Sequence, residues 1–362
     1  MGNAVSPNNR IEYLDSIKSV LIFTVIWGHF IAGTNNIEGQ NNSKFIIIYS
    51  FHMPLFMALS GIFFYKLFDR DFKKVVWNKI LQLIIPATFV LLVLTIAISL
   101  YKPRSLADLL EWMWGARPWF LFTLFFCIIA SLLFTKLTKS PTLGFILAFC
   151  LFALIPDVTD KELFMLPFFA LGYYAYKYRH FIDKYWIILC LLSIVFWMYI
   201  YIRHYNTGNY NVYENPWVLW SVGSGICSLA SFKAAVVRYA IGLFGCVFVF
   251  IILKKLYETN IGRAINRLKL NKLIGQNTLG IYLLQAIFFS LLTAFNAKYD
   301  VFSNISYGRD VIPFILTIVM LPVFNLMVEF IKGNRLLSIL LLGIHKKANV
   351  NTKSNKELSD AR

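Results

Sequence analysis

Leu81-Gln-Leu-Ile-Ile-Pro86-Ala-Thr-Phe-Val-Leu-Leu-Val-Leu-Thr-Ile-Ala-Ile-Ser-Leu100 is twenty residues long and carries no formal charge. A helix of about 20 apolar residues is what the hydrocarbon core of a bilayer requires. The run is not alone, because Val20–Ile31, Phe120–Phe134 and Phe314–Met327 read the same way. Of the 362 residues, 58% are hydrophobic and only 15% are charged, too few polar groups to coat a soluble protein of this length. A transmembrane barrel would show short segments of alternating polarity, which are absent. The expected fold is therefore all-α, a polytopic membrane bundle of about ten helices.

The ten spans are placed at 17–34, 45–65, 80–100, 118–135, 141–156, 162–176, 185–202, 235–253, 277–296 and 311–331. A polar segment 1–16 precedes the membrane domain 17–331, and the tail 332–362 is expected to be cytoplasmic and disordered. Residues 1–15 are polar and no small-residue cleavage site follows the first run, so that run is expected to be retained. Both termini are expected inside. With that topology the cytoplasmic segments collect 25 of the 35 Lys and Arg, counting Lys18 at the boundary, as the positive-inside rule demands. Residues 216–231 are apolar enough to suggest an eleventh span. An extra crossing there would export the basic cluster Lys254–Lys272, so this stretch is read as a partly inserted outer loop.

The net charge of +17 is thus a record of topology and of anionic lipid rather than of nucleic acid, for which no zinc-ligand spacing, aromatic platform or basic helix is present. The five cysteines are scattered without a C-x-x-C pair and read as packing residues.

Ionisable groups inside a span are costly and suggest function. Lys18 and His29 lie eleven residues apart, which returns to nearly the same helix face about 16 Å further along. Asp15 falls within about 40° of that face. A cation would stand at the cytoplasmic mouth and an imidazole near the midplane. His52, in the antiparallel second span, arrives at similar depth beside Pro54. Two matched intramembrane histidines point to a site, although too few ligands accompany them for a metal. Span nine carries Thr278, Tyr282 and Gln285 broadly on one face, a pattern that interhelical polar contacts also produce. Trp112, Trp114, Arg117 and Trp119 enter span four as an interfacial belt or as a wall for a sugar or anion.

Taken in order, Arg10-Ile-Glu-Tyr-Leu-Asp15-Ser-Ile-Lys18 with His29, Phe51-His52-Met-Pro-Leu-Phe-Met-Ala-Leu-Ser60-Gly61, Arg117-Pro-Trp119-Phe-Leu, Leu166-Pro-Phe-Phe-Ala-Leu-Gly172-Tyr and Gly275-Gln-Asn-Thr-Leu-Gly-Ile-Tyr282-Leu-Leu resemble the acyltransferase 3 family of bacterial membrane O-acyltransferases. The second motif looks most like the branch of fucose acetylases and nodulation-factor acetyltransferases. The chain departs from the family's habit in two places: Lys18 stands where Arg is common, and Gln285 where a His often follows the span-nine motif. The resemblance implies a multi-pass protein of the bacterial cytoplasmic membrane with no permanently bound cofactor and acetyl-CoA, or another acyl-CoA, as co-substrate. It also implies a glycan or lipid-linked sugar as acceptor. His29 and His52 become the expected catalytic pair. Asp15, Lys18, Lys66, Arg70 and Lys73 are expected to receive the CoA phosphates, and Arg117, Trp119, Tyr282 and Gln285 the acceptor. The rival reading is a glycan or lipid transporter, which would show broken helices in corresponding halves or internal repeats, and neither is found.

Overall fold

A computed structural model describes residues 12–34, 42–101, 105, 118–154, 156–205, 229–299 and 311–344. Among them there is no strand, and the order is helical throughout. Helix α1 runs Glu12–Thr34 and α2 runs Ser43–Gly61, followed by a single 3₁₀ turn, Phe64–Leu67. Next come α3 (Phe72–Lys79) and α4 (Ile85–Tyr101), joined by a π-helical turn at Ile80–Ile84. Then follow α5 (Trp119–Thr138), α6 (Pro141–Ala153), α7 (Pro156–Lys177), α8 (Arg179–Lys184) and α9 (Trp186–Ile200). The last five are α10 (Leu229–Glu258), α11 (Asn260–Arg267), α12 (Lys269–Tyr299), α13 (Val311–Gly333) and α14 (Arg335–Leu342).

Eight of these helical stretches are long and apolar enough to cross a bilayer, and each coincides with one of the expected spans. The expected fifth span is the 13-residue α6, about 20 Å long and shorter than the hydrocarbon thickness. The expected sixth lies within α7, which is longer than drawn and carries acidic residues near its start. The chain is an all-α polytopic membrane bundle. Of the contested stretch 216–231, residues 216–228 lie outside the described residues, and 229–231 open α10.

One expectation is corrected. The disordered tail drawn from residue 332 instead begins with helix α14. Asn334 caps it by accepting from the Leu336 and Leu337 amides, and Ser338 and Leu342 are buried. The apolar run Leu336–Leu342 has a face to bury, which a purely polar tail lacks. Gly343 ends it in the left-handed region at φ 61°, seated on the π turn, where a Cβ would lie 2.7 Å from the Leu81 carbonyl oxygen. That π turn immediately precedes Ile85-Pro86. Proline cannot donate to the carbonyl one turn back and collides with it, so the ladder widens there.

In the main core cluster α1 is central, lined by Leu14, Ile17, Leu21, Ile22, Val25, Ile26 and Phe30, and a smaller cluster joins Ile31 to Phe45 and Ile48. Its main neighbour is α12. Gly275 allows the approach, since a Cβ there would fall 2.1 Å from the Asp15 carbonyl oxygen. Asn271 donates to the Ser16 hydroxyl at 2.7 Å and accepts from the Ser19 hydroxyl, tying the same two ends together. Both helices start at the basic end of the bundle, so they run parallel, with Asp15 level with Gly275.

Candidate active site

That register positions the site. Fourteen residues on from the Asp15–Gly275 contact, α1 presents His29 and α12 presents Phe289. The two rings stack, 5.2 Å between centroids and 24° between planes. His29 is half-buried, and stacking rather than a hydrogen bond to a described residue holds it. Phe30 closes the other side of Phe289, edge to face at 4.7 Å.

Across α1 lies α2. Gly28 lets them meet, because a Cβ there would stand 2.8 Å from the Tyr49 ring. One turn further along α2 is His52, only 2% exposed, with the Tyr49 ring edge-on at 4.5 Å. His52 Nδ1 is 2.7 Å from the Ile48 carbonyl oxygen. A carbonyl only accepts, so Nδ1 carries the proton and Nε2 is left with its lone pair. His29 and the Arg238 guanidinium lie within electrostatic reach of His52.

At the basic end, Lys18 and Lys66 converge on one ring. Lys18 Nζ lies 5.7 Å and Lys66 Nζ 5.1 Å from the centroid of Phe63. Asp15 is 5% exposed and belongs to this end, below Lys18 on α1. Arg70 and Lys73 are exposed around the start of α3, and no contact draws them to Lys18. Between this mouth and His29 stands Gln285, ten residues past Gly275 and about 6 Å nearer the basic end than His29. It is 1% exposed, and its Oε1 has no hydrogen-bond partner among the described residues. That is an orphaned acceptor in the core, at a depth between Lys18 and His29.

Toward the opposite end, Trp119 begins α5 with the Lys161 ammonium 5.5 Å over its ring. The neighbouring Phe120 meets Tyr282 edge to face at 6.0 Å. Trp119 and Tyr282 therefore share one wall. Arg117 lies outside the described residues.

Two ionisable residues of this outer layer were not singled out from the sequence. Arg238 is 6% exposed with its guanidinium 4.9 Å over Phe164, and Glu162, also 6% exposed, accepts from the Thr123 hydroxyl at 3.0 Å. A lone Arg in the apolar run of α10 was the available signal. A further polar cluster joins Asn277, Asn325, Glu329 and Lys332 at the basic ends of α12 and α13, where Asn277 donates to both Asn325 and Glu329 at 2.7 Å. Among the described residues no group of His, Cys, Asp and Glu could hold a metal ion.

The described residues thus form a helical membrane bundle with lysines gathered at one end, two histidines in its interior and aromatic residues toward the other end. The chain belongs to the acyltransferase 3 family, whose model, described as an acyltransferase domain, matches residues 11–331. It is 30% identical over 187 residues to nodulation protein NolL of Sinorhizobium fredii (strain NBRC 101917 / NGR234), covering 47% of this chain and 50% of that protein. To nodulation protein NolL of Mesorhizobium japonicum (strain LMG 29417 / CECT 9101 / MAFF 303099) it is 25% identical over 311 residues, covering 79% of this chain and 78% of that one. No solved structure matches the chain significantly.

Proposed function

We propose that the protein is a membrane O-acyltransferase. It carries an acyl group, acetyl being the simplest, from a cytoplasmic acyl-CoA to a hydroxyl of an exported or lipid-linked glycan. Family membership supports acyl transfer. The observation that carries the rest is the α1 stripe, with Lys18 at the basic end and His29 stacked in the interior beside His52.

Lys18 and Lys66 receive the CoA phosphates as point charges, joined at the surface by Arg70 and Lys73, with Asp15 helping to set the geometry of the mouth. The pantetheine arm is apolar except for its amides and hydroxyl, and the orphaned Gln285 carbonyl suits one of those donors. His29 removes the proton of the acceptor hydroxyl. The oxygen attacks the thioester carbonyl, the new C–O bond forms, the C–S bond breaks and CoA leaves as its thiol once reprotonated. His52, donor-locked at Nδ1, offers Nε2 to accept and return that proton or to orient His29. Trp119, Tyr282 and Arg117 hold the acceptor from the outer side, which agrees with aromatic sugar platforms. The setting is the bacterial cytoplasmic membrane with both termini inside.

The test is mass spectrometry of surface glycans and free sugars from cells carrying the wild-type protein, His29→Ala, or no protein. Loss of one acyl substituent on deletion, and its equal loss in His29→Ala, is the expected result. Unchanged acylation of every glycan after deletion would overturn the transferase reading. Loss on deletion with full retention in His29→Ala would remove His29 from the mechanism.

A further inference from the structure

A second feature stands apart from this site. Between α2, α7, α8, α9 and α10 lies a cavity of about 250 Å³, open on one side and lined almost wholly by carbon. Leu55, Leu59, Gly172, Tyr178, Phe181 and Val247 are among its walls. A cavity with no polar partner for water stays dry. In a bilayer an open one is filled by hydrocarbon, since an empty one forfeits its dispersion contacts. It does not close by collapse, because α2 and α7 already touch backbone to backbone. A Cβ on Gly172 would lie 1.8 Å from the Ala58 carbonyl oxygen.

Its position selects the hydrocarbon. Tyr174 lies in the last turn of α7, Tyr178 in the link that follows it and Phe181 and Ile182 in α8, so the cavity rises from the basic end of the bundle. Three cations stand there on aromatic rings: Lys177 over Tyr178 at 5.4 Å, Arg179 over Tyr176 at 4.9 Å and Lys184 over Tyr185 at 5.2 Å. Arg179 also donates to the Tyr176 carbonyl at 3.2 Å. The nearby carboxylates are already engaged, Asp183 by Lys254 and Glu258 by Lys255. No ion pair joins Lys177, Arg179 or Lys184 to a carboxylate of the described residues. An apolar slot below a cluster of cations matches a lipid with a negative headgroup.

We propose that this cavity binds one acyl chain of an anionic phospholipid from the leaflet at the basic end, with the phosphate held by Lys177, Arg179 and Lys184. The assignment is independent of acyl transfer. It is tested by native mass spectrometry of the full chain in mild detergent, titrated with phosphatidylglycerol and with phosphatidylcholine of identical chains. One phosphatidylglycerol is expected to bind at least tenfold more tightly than phosphatidylcholine. The triple variant Lys177→Gln/Arg179→Gln/Lys184→Gln, whose changes are all on the surface, brings the two lipids level. Ala175→Phe and Leu189→Phe, which fill the cavity from two sides, each weaken phosphatidylglycerol binding at least tenfold, with elution profile and thermal unfolding used to verify the fold. Equal binding of the two lipids by the wild-type protein overturns the proposal. So does undiminished phosphatidylglycerol binding in whichever filling variant folds, or a lipid-free dimer that seals the groove with a second copy.

Discussion

At the scale of single residues, the hydrogen bond from His52 Nδ1 to the Ile48 carbonyl divides the work between the two histidines. His52 presents a fixed acceptor at Nε2, whereas His29 is positioned by stacking and partly accessible. Neither Asn nor Gln can titrate, so His29→Gln and His52→Asn are each expected to lower kcat by on the order of 10²–10⁴-fold, measured with purified protein and labelled acyl-CoA. An unchanged kcat in both would exclude acid–base catalysis by the pair. Gln285 makes a prediction of opposite sign for stability and activity. Leaving a buried acceptor unpaired costs about 1–3 kcal/mol, so Gln285→Leu, similar in shape, should raise the unfolding temperature in detergent while impairing turnover. A fall in both would indicate that the amide is structural. The Lys18–His29 spacing was legible in the sequence because helical periodicity alone places those residues. The orphaned state of Gln285 was not, because it depends on which side chains the neighbouring helices bring near it. Arg238 could have been found, since a charge inside an apolar run is visible without a structure, whereas Glu162 is hidden among Asp157, Asp160 and Lys161 at the start of its helix.

At the scale of helices, close approach is set by glycine. Gly275→Ala introduces a methyl where the Asp15 backbone already stands, and Gly172→Ala does the same against Ala58. Neither obstacle is a side chain that can rotate away, so each substitution should destabilise by about 1–3 kcal/mol, read as a drop in thermal unfolding temperature. Gly275→Ala should in addition reduce activity, because it shifts the register that aligns Phe289 with His29. A Gly333→Ala control, with nothing within 4 Å of the added methyl, should leave both properties near wild type. Most helices were readable from hydropathy. The lengths of α6 and α7 were harder, because acidic residues at the start of α7 interrupt the apolar pattern without interrupting the helix. Helix α14 was missed for a related reason: its apolar run is embedded in a segment whose composition is mostly polar.

For the whole molecule, charge and aromatic character are distributed along the bundle axis. The basic end gathers Lys18 and Lys66 on Phe63, while the opposite end gathers Trp119, Phe120 and Tyr282. If the basic end takes CoA, Lys18→Gln combined with Lys66→Gln should raise the KM for acyl-CoA by roughly 30-fold or more, consistent with loss of two phosphate contacts of about 1–3 kcal/mol each, with a much smaller change in kcat. A kcat loss without any KM change would move these lysines out of the donor site. Orientation is checked by labelling a cysteine introduced at Lys269, which should react only with membrane-permeant reagent in intact cells. The overall class was legible because bilayer thickness and backbone hydrogen bonding leave a helical bundle as the solution for such runs. The convergence of loops was not, since residues far apart in the chain share no local pattern.

The cluster of Asn277, Asn325, Glu329 and Lys332 has a consequence for biogenesis. α12 is the least apolar of the eight long helices, and among the described residues Asn277 finds its side-chain partners on α13, which the ribosome makes later. Interhelical hydrogen bonds of this kind contribute about 0.6 kcal/mol each on average. A nascent chain that stops before Val311 would therefore hold α12 in the membrane with its amide unmet. Completion of α13 is thus the step at which the Asn277 side chain acquires Asn325, Glu329 and Lys332 as partners.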